Sequence, residues 1–70
     1  MTLGHTIKSI RQSKKLTQRK LAQVAGVTPS ALSYLEAGKG ETKIQTLRCI
    51  AEAFNMKVWE IMKESENENP

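Results

Sequence analysis

The sequence predicts a compact all-α domain of five short helices around one core. Apolar residues recur three and four positions apart, and no run alternates apolar with polar residues as a strand would. Capping and ending signals divide the chain into five segments. A chain of 70 residues has room for one core only, since it buries only about 60% of the surface that its unfolded form exposes. We expect residues 1–64 to form this domain and residues 65–70 to be a flexible acidic tail.

The first two helices follow from apolar spacing and from a turn at Gly26. Leu3, Ile7 and Ile10 predict an amphipathic first helix of about three turns. Thr17 is a suitable N-cap for the second helix. Its predicted inner side consists of Leu21, Ala22, Val24 and Ala25. Gly26 should end this helix, because glycine adopts a positive φ without a Cβ clash.

The remaining three helices are predicted from capping signals. Thr28-Pro29 reads as an N-cap followed by proline at the first helical position, which starts a third helix that Gly38 ends. Residues 42–45 match a capping box and start a fourth helix, which Asn55 ends. The fifth helix looks poorly capped at Lys57. The predicted inward residues of these helices are Ala31, Leu32 and Leu35, then Ile44, Leu47, Ile50, Ala51 and Phe54, then Val58, Ile61 and Met62.

The positive charge is concentrated in the body of the chain. Residues 1–59 hold ten basic and three acidic residues, a net +7, whereas residues 60–70 are net −3, which gives the total of +4. A basic body favours a polyanionic partner, either nucleic acid or an anionic membrane. An ordinary solvated surface is the alternative interpretation.

Composition argues against several classes of protein. The chain has no Asp, one His and one Cys, so we expect no enzyme, no metal site and no cofactor. The lone Cys49 fits a small packed residue in a reducing cytoplasm. No apolar run approaches the ~20 residues of a membrane span, and the N-terminus has no secretory signal. Every apolar stripe is assigned to the core, so none is left for a membrane surface.

The most specific feature is the segment 18–37, QRKLAQVAGVTPSALSYLEA. It predicts two short helices joined by a three-residue turn centred on Gly26, which is a helix-turn-helix arrangement. The outer side of the second of these helices is small or polar, at Pro29, Ser30, Ser33 and Tyr34. A major groove is wide enough to admit such a helix.

Residues 3–63 resemble the phage repressor and Cro-type helix-turn-helix family, also called the Xre family. The matching features occur in the family order: Arg11, LTQ at 16–18, Leu-Ala at 21–22, GVT at 26–28, LEAGK at 35–39, and Leu47, Ile50, Ala51 and Phe54. The resemblance implies a lambda-repressor-like fold and a DNA-binding transcription regulator, with a double-stranded DNA operator as partner.

The same resemblance implies a set of DNA-contacting residues. Gln18 matches a glutamine that binds a DNA phosphate and supports the recognition helix, and Lys39 matches a phosphate contact after the third helix. The full set of expected DNA contacts is Gln18, Arg19, Thr28, Pro29, Ser30, Ser33, Tyr34, Lys39, Lys43 and Gln45. Arg11 and Glu36 match positions that form a structural ion pair in some relatives.

Some residues depart from the family pattern. Pro29 stands where relatives often have a base-reading polar residue, and the outer face has no Arg, Asn or Gln. The operator therefore cannot be read from the sequence. Gln18, Ser33 and Tyr34 could instead be ordinary solvated residues.

A single short recognition helix reads few base pairs, so we expect a homodimer. We also expect the protein to act in the cytoplasm as a repressor. Helices four and five are expected on the far side of the core from the second helix, and the expected dimer interface is Ile44, Arg48, Val58 and Trp59. For Trp59, a solvent-flanked rim is the alternative. The competing function is an antitoxin or interaction module of the same fold, which neutralises a partner protein and regulates its own operon.

Overall fold

The protein folds into five α-helices joined by short turns. A computed structural model describes residues 2–39 and 42–67. The helices are α1 (Leu3–Ser13), α2 (Gln18–Ala25), α3 (Pro29–Glu36), α4 (Ile44–Ala53) and α5 (Val58–Asn67), and the described residues contain no strand. Within these residues, no helix is long and apolar enough to cross a bilayer.

The capping signals of α2 and α3 are confirmed. The Thr17 and Thr28 hydroxyl oxygens accept the backbone N–H of Lys20 at 3.0 Å and of Ala31 at 3.1 Å. Gly26 ends α2 with φ 74°, in the left-handed region where a residue with a Cβ would be strained. These local bonds fix where α2 stops and α3 starts, and so they set the turn between the two helices.

The core lies between all five helices. Its largest aliphatic side chains with 0–1% of their surface exposed are Ile7, Leu21, Leu32, Ile50 and Ile61. α1 packs against α3 and α5, and α2 packs against α3 and α4. The expectation that α4 lies on the far side of the core from α2 is therefore wrong, because α4 packs directly on α2.

One backbone approach determines how α1 meets α3. Gly4 is buried, and a Cβ added there would overlap the carbonyl oxygen of Leu35. Only a residue without a side chain lets the start of α1 lie this close to the end of α3.

The predicted inner faces of the helices are too wide. Four residues expected to point inward are exposed: Val24, Ala31, Ile44 and Met62. Val24, Ala31 and Met62 each adjoin a correctly predicted buried residue, and Ile44 lies one turn before Leu47. A short helix turns only part of its surface to the core. The apolar pattern therefore located the helices but overestimated the buried stripe.

Two helix ends also differ from expectation. The capping box at residues 42–45 is wrong, since the N-cap of α4 is Lys43 and no side chain caps it. Lysine has no acceptor, and Thr42 lies one residue too early. The N-terminus of α5 is better satisfied than expected, because the Glu60 carboxylate accepts the Lys57 backbone N–H at 2.9 Å.

The helical region extends past the expected domain boundary. α5 runs to Asn67, so the first three residues of the expected tail, 65–67, are helical. Residues 68–70 lie outside the described residues, and the flexibility of the tail stays a prediction.

Candidate nucleic-acid interface

Three helix ends meet at one buried ion pair. Nε of Arg11, near the end of α1, donates to Oε2 of Glu36, the last residue of α3, at 2.8 Å, and Nη2 donates to Oε1 at 3.2 Å. The Arg11 and Glu36 side chains are only 10% and 2% exposed. Nη1 of Arg11 also donates to the backbone carbonyl of Leu16, before α2, at 2.6 Å. The structural pair expected from the resemblance is present, and it also binds the α1–α2 turn.

Gln18 joins this cluster from the first position of α2. Its Nε2 donates to Oε1 of Glu36 at 3.0 Å, and the residue is half-buried. The family resemblance implied that Gln18 binds a phosphate and supports the third helix, but it did not identify Glu36 as the partner. The two residues are 18 positions apart, so no local pattern connects them.

The outer face of α3 is exposed and carries mainly small side chains. Pro29, Ser30, Ser33 and Tyr34 are all exposed, and Leu32 and Leu35 hold the opposite face in the core. A helix with this division can approach a groove in DNA closely. The hydroxyl oxygen of Thr28 is already used in the cap of α3, which leaves its O–H as the group free to donate.

A shallow depression brings six of the expected contacts together. Its lining is Gln18, Pro29, Ser30, Ser33, Tyr34, Ala37 and Lys39. Ala37 was not predicted; it is small and exposed just after α3, and nothing in the sequence sets it apart as a contact. Lys43 lines a neighbouring depression between α3 and α4, which shares Tyr34 and Lys39 with the first. Thr28, Arg19 and Gln45 are exposed but line neither depression.

The start of α2 has an electrostatic arrangement that suits an anion. No acidic residue occupies its first turn, and Arg19 and Lys20 are exposed there. The exposed Lys14 and Lys15 precede it in the turn. Cations near a helix N-terminus are disfavoured by the positive end of the helix dipole, so a bound anion would relieve this repulsion.

The four residues expected at a dimer interface differ in availability. Trp59 and Ile44 are 60% and 59% exposed, and Arg48 is exposed too. Val58 is half-buried and packs against the core, so it offers less surface than expected. A depression beside Trp59 is lined by Met56, Glu60, Lys63 and Glu64 and includes none of the other three.

The profile of the helix-turn-helix family matches residues 7–58. The chain belongs to the Xre-type helix-turn-helix family. The resemblance drawn from the sequence is thus confirmed, and this Xre-type chain is a member of a family of DNA-binding transcription regulators.

Curated relatives of this Xre-type chain have different roles. It is 38% identical over 64 residues to the immunity repressor protein of Bacillus phage phi105, which covers 91% of this chain and 44% of the repressor. It is 32% identical over 66 residues to the HTH-type transcriptional activator BcrR of Enterococcus faecalis, which covers 94% and 32%. It is 31% identical over 68 residues to the antitoxin PezA of Streptococcus pneumoniae, which covers 97% and 43%. The chain spans less than half the length of these relatives.

A solved structure confirms the all-α fold class. The crystal structure of the clp gene regulator ClgR from Corynebacterium glutamicum superposes with a TM-score of 0.89 at 31% identity. The superposition covers 97% of this Xre-type chain and 88% of the ClgR chain.

Proposed function

We propose that this chain binds double-stranded DNA sequence-specifically as a homodimer, with α3 in the major groove, and represses transcription at the sites that it occupies. The role is regulatory and not catalytic, and it is carried out in the cytoplasm, where the DNA is. The observation that carries the proposal is the depression in which Gln18, Lys39 and the small outer side chains of α3 lie together.

Phosphate contacts at the edges of this depression would orient α3. The Thr17 hydroxyl caps the Lys20 N–H, and the backbone N–H groups of Gln18 and Arg19, which have no partner within α2, can bind a phosphate oxygen there. Lys39 would bind a phosphate beyond the other end of α3, and Lys43 and Gln45 would bind the backbone near the start of α4. Arg19 adds positive charge on the side of α2. Contacts on both sides of α3 fix its register along the groove.

Base contacts would come from Ser30, Ser33 and Tyr34, with Thr28 and Pro29 at the leading end of α3. Serine hydroxyls donate and accept, so each can pair with several bases. Because Pro29 has no N–H, its role is limited to apolar contact. Direct readout by this set is weak, so we infer that DNA shape contributes to site selection.

Dimerisation would supply the remaining specificity. α3 has eight residues, so it is about 12 Å long and spans only a few base pairs. Two copies on half-sites about 34 Å apart double the contacts. We propose Trp59 as the centre of the dimer interface, with Ile44, Arg48 and Val58 around it. The exposure of this large apolar side chain supports the assignment, and so does the charge pattern beside it, in which Lys63 lies between Glu60 and Glu64. Under a two-fold axis, each Lys63 could face a carboxylate of the other copy.

The direction of regulation rests on one similarity. The phage immunity repressor is a relative at 38% identity, and a dimer bound over a promoter blocks access to it. An activator is also a relative, so activation is the opposing outcome.

Selection of duplexes from a random pool tests the proposal. Bound duplexes should share two symmetric half-sites, and a footprint on the selected site should protect both. Placed over a reporter promoter, that site should lower expression when the protein is present. Binding to no duplex would refute DNA binding, a footprint without symmetry would refute the homodimer, and increased expression would refute repression.

The antitoxin reading is the second candidate, supported by the similarity to PezA. It predicts that the protein copurifies with a partner protein and relieves the toxicity of that partner in cells. Recovery of a free homodimer that binds DNA without any partner would favour the regulator alone.

A further inference from the structure

The side chain of Gln18 spans the buried ion pair and the DNA-facing depression. Its Nε2 lies 3.0 Å from Oε1 of Glu36, and the same residue lines the depression with Ser33 and Lys39. An ordinary surface glutamine samples many rotamers, whereas this one is tied to a carboxylate that is itself held by Arg11.

Glu36 determines which way the Gln18 amide faces. An ionised carboxylate only accepts hydrogen bonds, so the group that faces Glu36 must be the NH₂ and not the carbonyl oxygen. This NH₂ has two N–H donors, and Glu36 takes one of them. The second N–H is then restricted in direction and is available to a phosphate oxygen in the depression.

Arg11 offsets the negative charge of the Glu36 carboxylate, which lies beside the proposed phosphate site. A bare Glu36 would repel a phosphate bound at Gln18, and it lies at the C-terminus of α3, where the helix dipole disfavours negative charge. Two hydrogen bonds from the Arg11 guanidinium neutralise it. We expect the fold to tolerate replacement of the whole pair, because buried ion pairs can often be replaced by apolar residues of similar volume without loss of stability.

We propose that Glu36 is a positioning residue for DNA binding: it holds the Gln18 amide with one N–H directed at a DNA phosphate, and Arg11 holds Glu36. The inference rests on the proposed function. It extends the binding machinery from the surface into the buried corner between α1, α2 and α3.

A double-mutant design separates positioning from mere stability. The apolar pair variant R11M/E36M removes the carboxylate without leaving a charge unpaired. Gln18→Ala is then made in the wild-type and in the apolar pair backgrounds. The probe is a random-sequence duplex of about two helical turns, ~20 base pairs, because a phosphate contact does not depend on sequence.

We expect Gln18→Ala to weaken binding about tenfold in the wild type, as expected for the loss of one hydrogen bond to a charged group. In the apolar pair background it should weaken binding by no more than about twofold, since the unpositioned amide already contributes little. Gln23→Ala, an exposed glutamine on the same helix, is the matched control and should change nothing in either background.

Each contrary outcome has a different meaning. A tenfold loss in both backgrounds would show that Glu36 does not position the amide. No loss in either background, with wild-type binding intact, would overturn the phosphate contact of Gln18 and the inference with it, while DNA binding itself would stand. Absence of wild-type binding to any duplex would overturn the proposed function.

A second measurement covers the case in which R11M/E36M does not fold. In wild-type protein labelled with ¹⁵N, the two side-chain amide protons of Gln18, assigned by comparison with Gln18→Ala, should lie further apart in chemical shift without DNA than those of the exposed Gln23. Only one of them should shift when the duplex is added. If the two protons of Gln18 lie no further apart in the free protein than those of Gln23, or both shift together on binding, the positioning role is refuted.

Discussion

The Arg11–Glu36 pair should show strong energetic coupling in folding. Arg11→Met leaves the Glu36 carboxylate, 2% exposed, without its cation, and Glu36→Met leaves the guanidinium with only the Leu16 carbonyl of its described partners. Breaking one side of a buried pair costs about 3–5 kcal/mol. A domain of this length has a free energy of unfolding of about 3–10 kcal/mol, so each single variant should lose about a third of it or more.

The double variant R11M/E36M should be more stable than either single variant. Two thioether side chains of similar length fill the corner with no charge left unpaired. The main losses are the hydrogen bond to the Leu16 carbonyl and the hydrogen bond from Gln18, together about 1–2 kcal/mol. Replacing both partners therefore restores most of the stability lost by replacing one.

Urea unfolding followed by far-UV circular dichroism measures these free energies. With an m-value of about 1 kcal/mol/M, each single variant should unfold at a midpoint about 3 M lower, or be unfolded without urea. Lys8→Met, an exposed cation on the same helix, is the control and should remain within about 0.5 kcal/mol of the wild type. Equal effects of Arg11→Met and Lys8→Met, or a double variant whose loss equals the sum of the singles, would refute the reasoning.

Three further predictions concern packing, DNA affinity and assembly. Gly4→Ala should lower the free energy of unfolding, measured in urea, by about 1–3 kcal/mol, because the added Cβ overlaps the Leu35 carbonyl. Since Gly→Ala within a helix usually stabilises, a gain in stability would contradict the close approach. Lys39→Ala should weaken binding to all duplexes and reduce by about 1 the slope of log binding constant against log salt concentration. Ser33→Ala should leave that slope unchanged and alter the preference among sequences. An unchanged slope for Lys39→Ala would exclude its phosphate contact. Trp59→Ala should sediment as a monomer at concentrations where the wild type is dimeric, and an unchanged dimer would exclude Trp59 from the interface.

The parts of the fold that could be predicted are those determined by residues close together in the sequence. Thr17, Gly26 and Thr28-Pro29 act through bonds and φ values within three or four positions, and the boundaries of α2 and α3 follow them. Periodicity was less exact about burial, since an eight-residue helix such as α2 cannot turn four apolar residues inward, and Val24 is left exposed. The capping box at residues 42–45 failed for a similar reason, because the pattern contains acceptors but does not fix the residue at which α4 starts.

The candidate site was less predictable than the fold because its key bonds are long-range. The Arg11–Glu36 pair came from family resemblance, and the bond from Gln18 to Glu36 came from neither composition nor spacing. Both depend on the crossing of α1, α2 and α3, which is set by packing of the whole core. Residues such as Ala37 enter the depression for the same reason: the tertiary structure places them there, and their chemistry gives no signal.

The two α1 contacts hold α3 without using its outer face, which the proposed function assigns to DNA. Gly4 meets the carbonyl of Leu35, and Arg11, about two turns further along α1, holds Glu36. Both contacts fall on the last two residues of α3, while the turn at Gly26 and the Thr28 cap hold its other end. The axis of α3 is thus fixed from its inner side and its ends. Ser30 and Ser33 take no part in those contacts, so under the proposed function we expect substitutions there to change which bases are read with little effect on the free energy of unfolding.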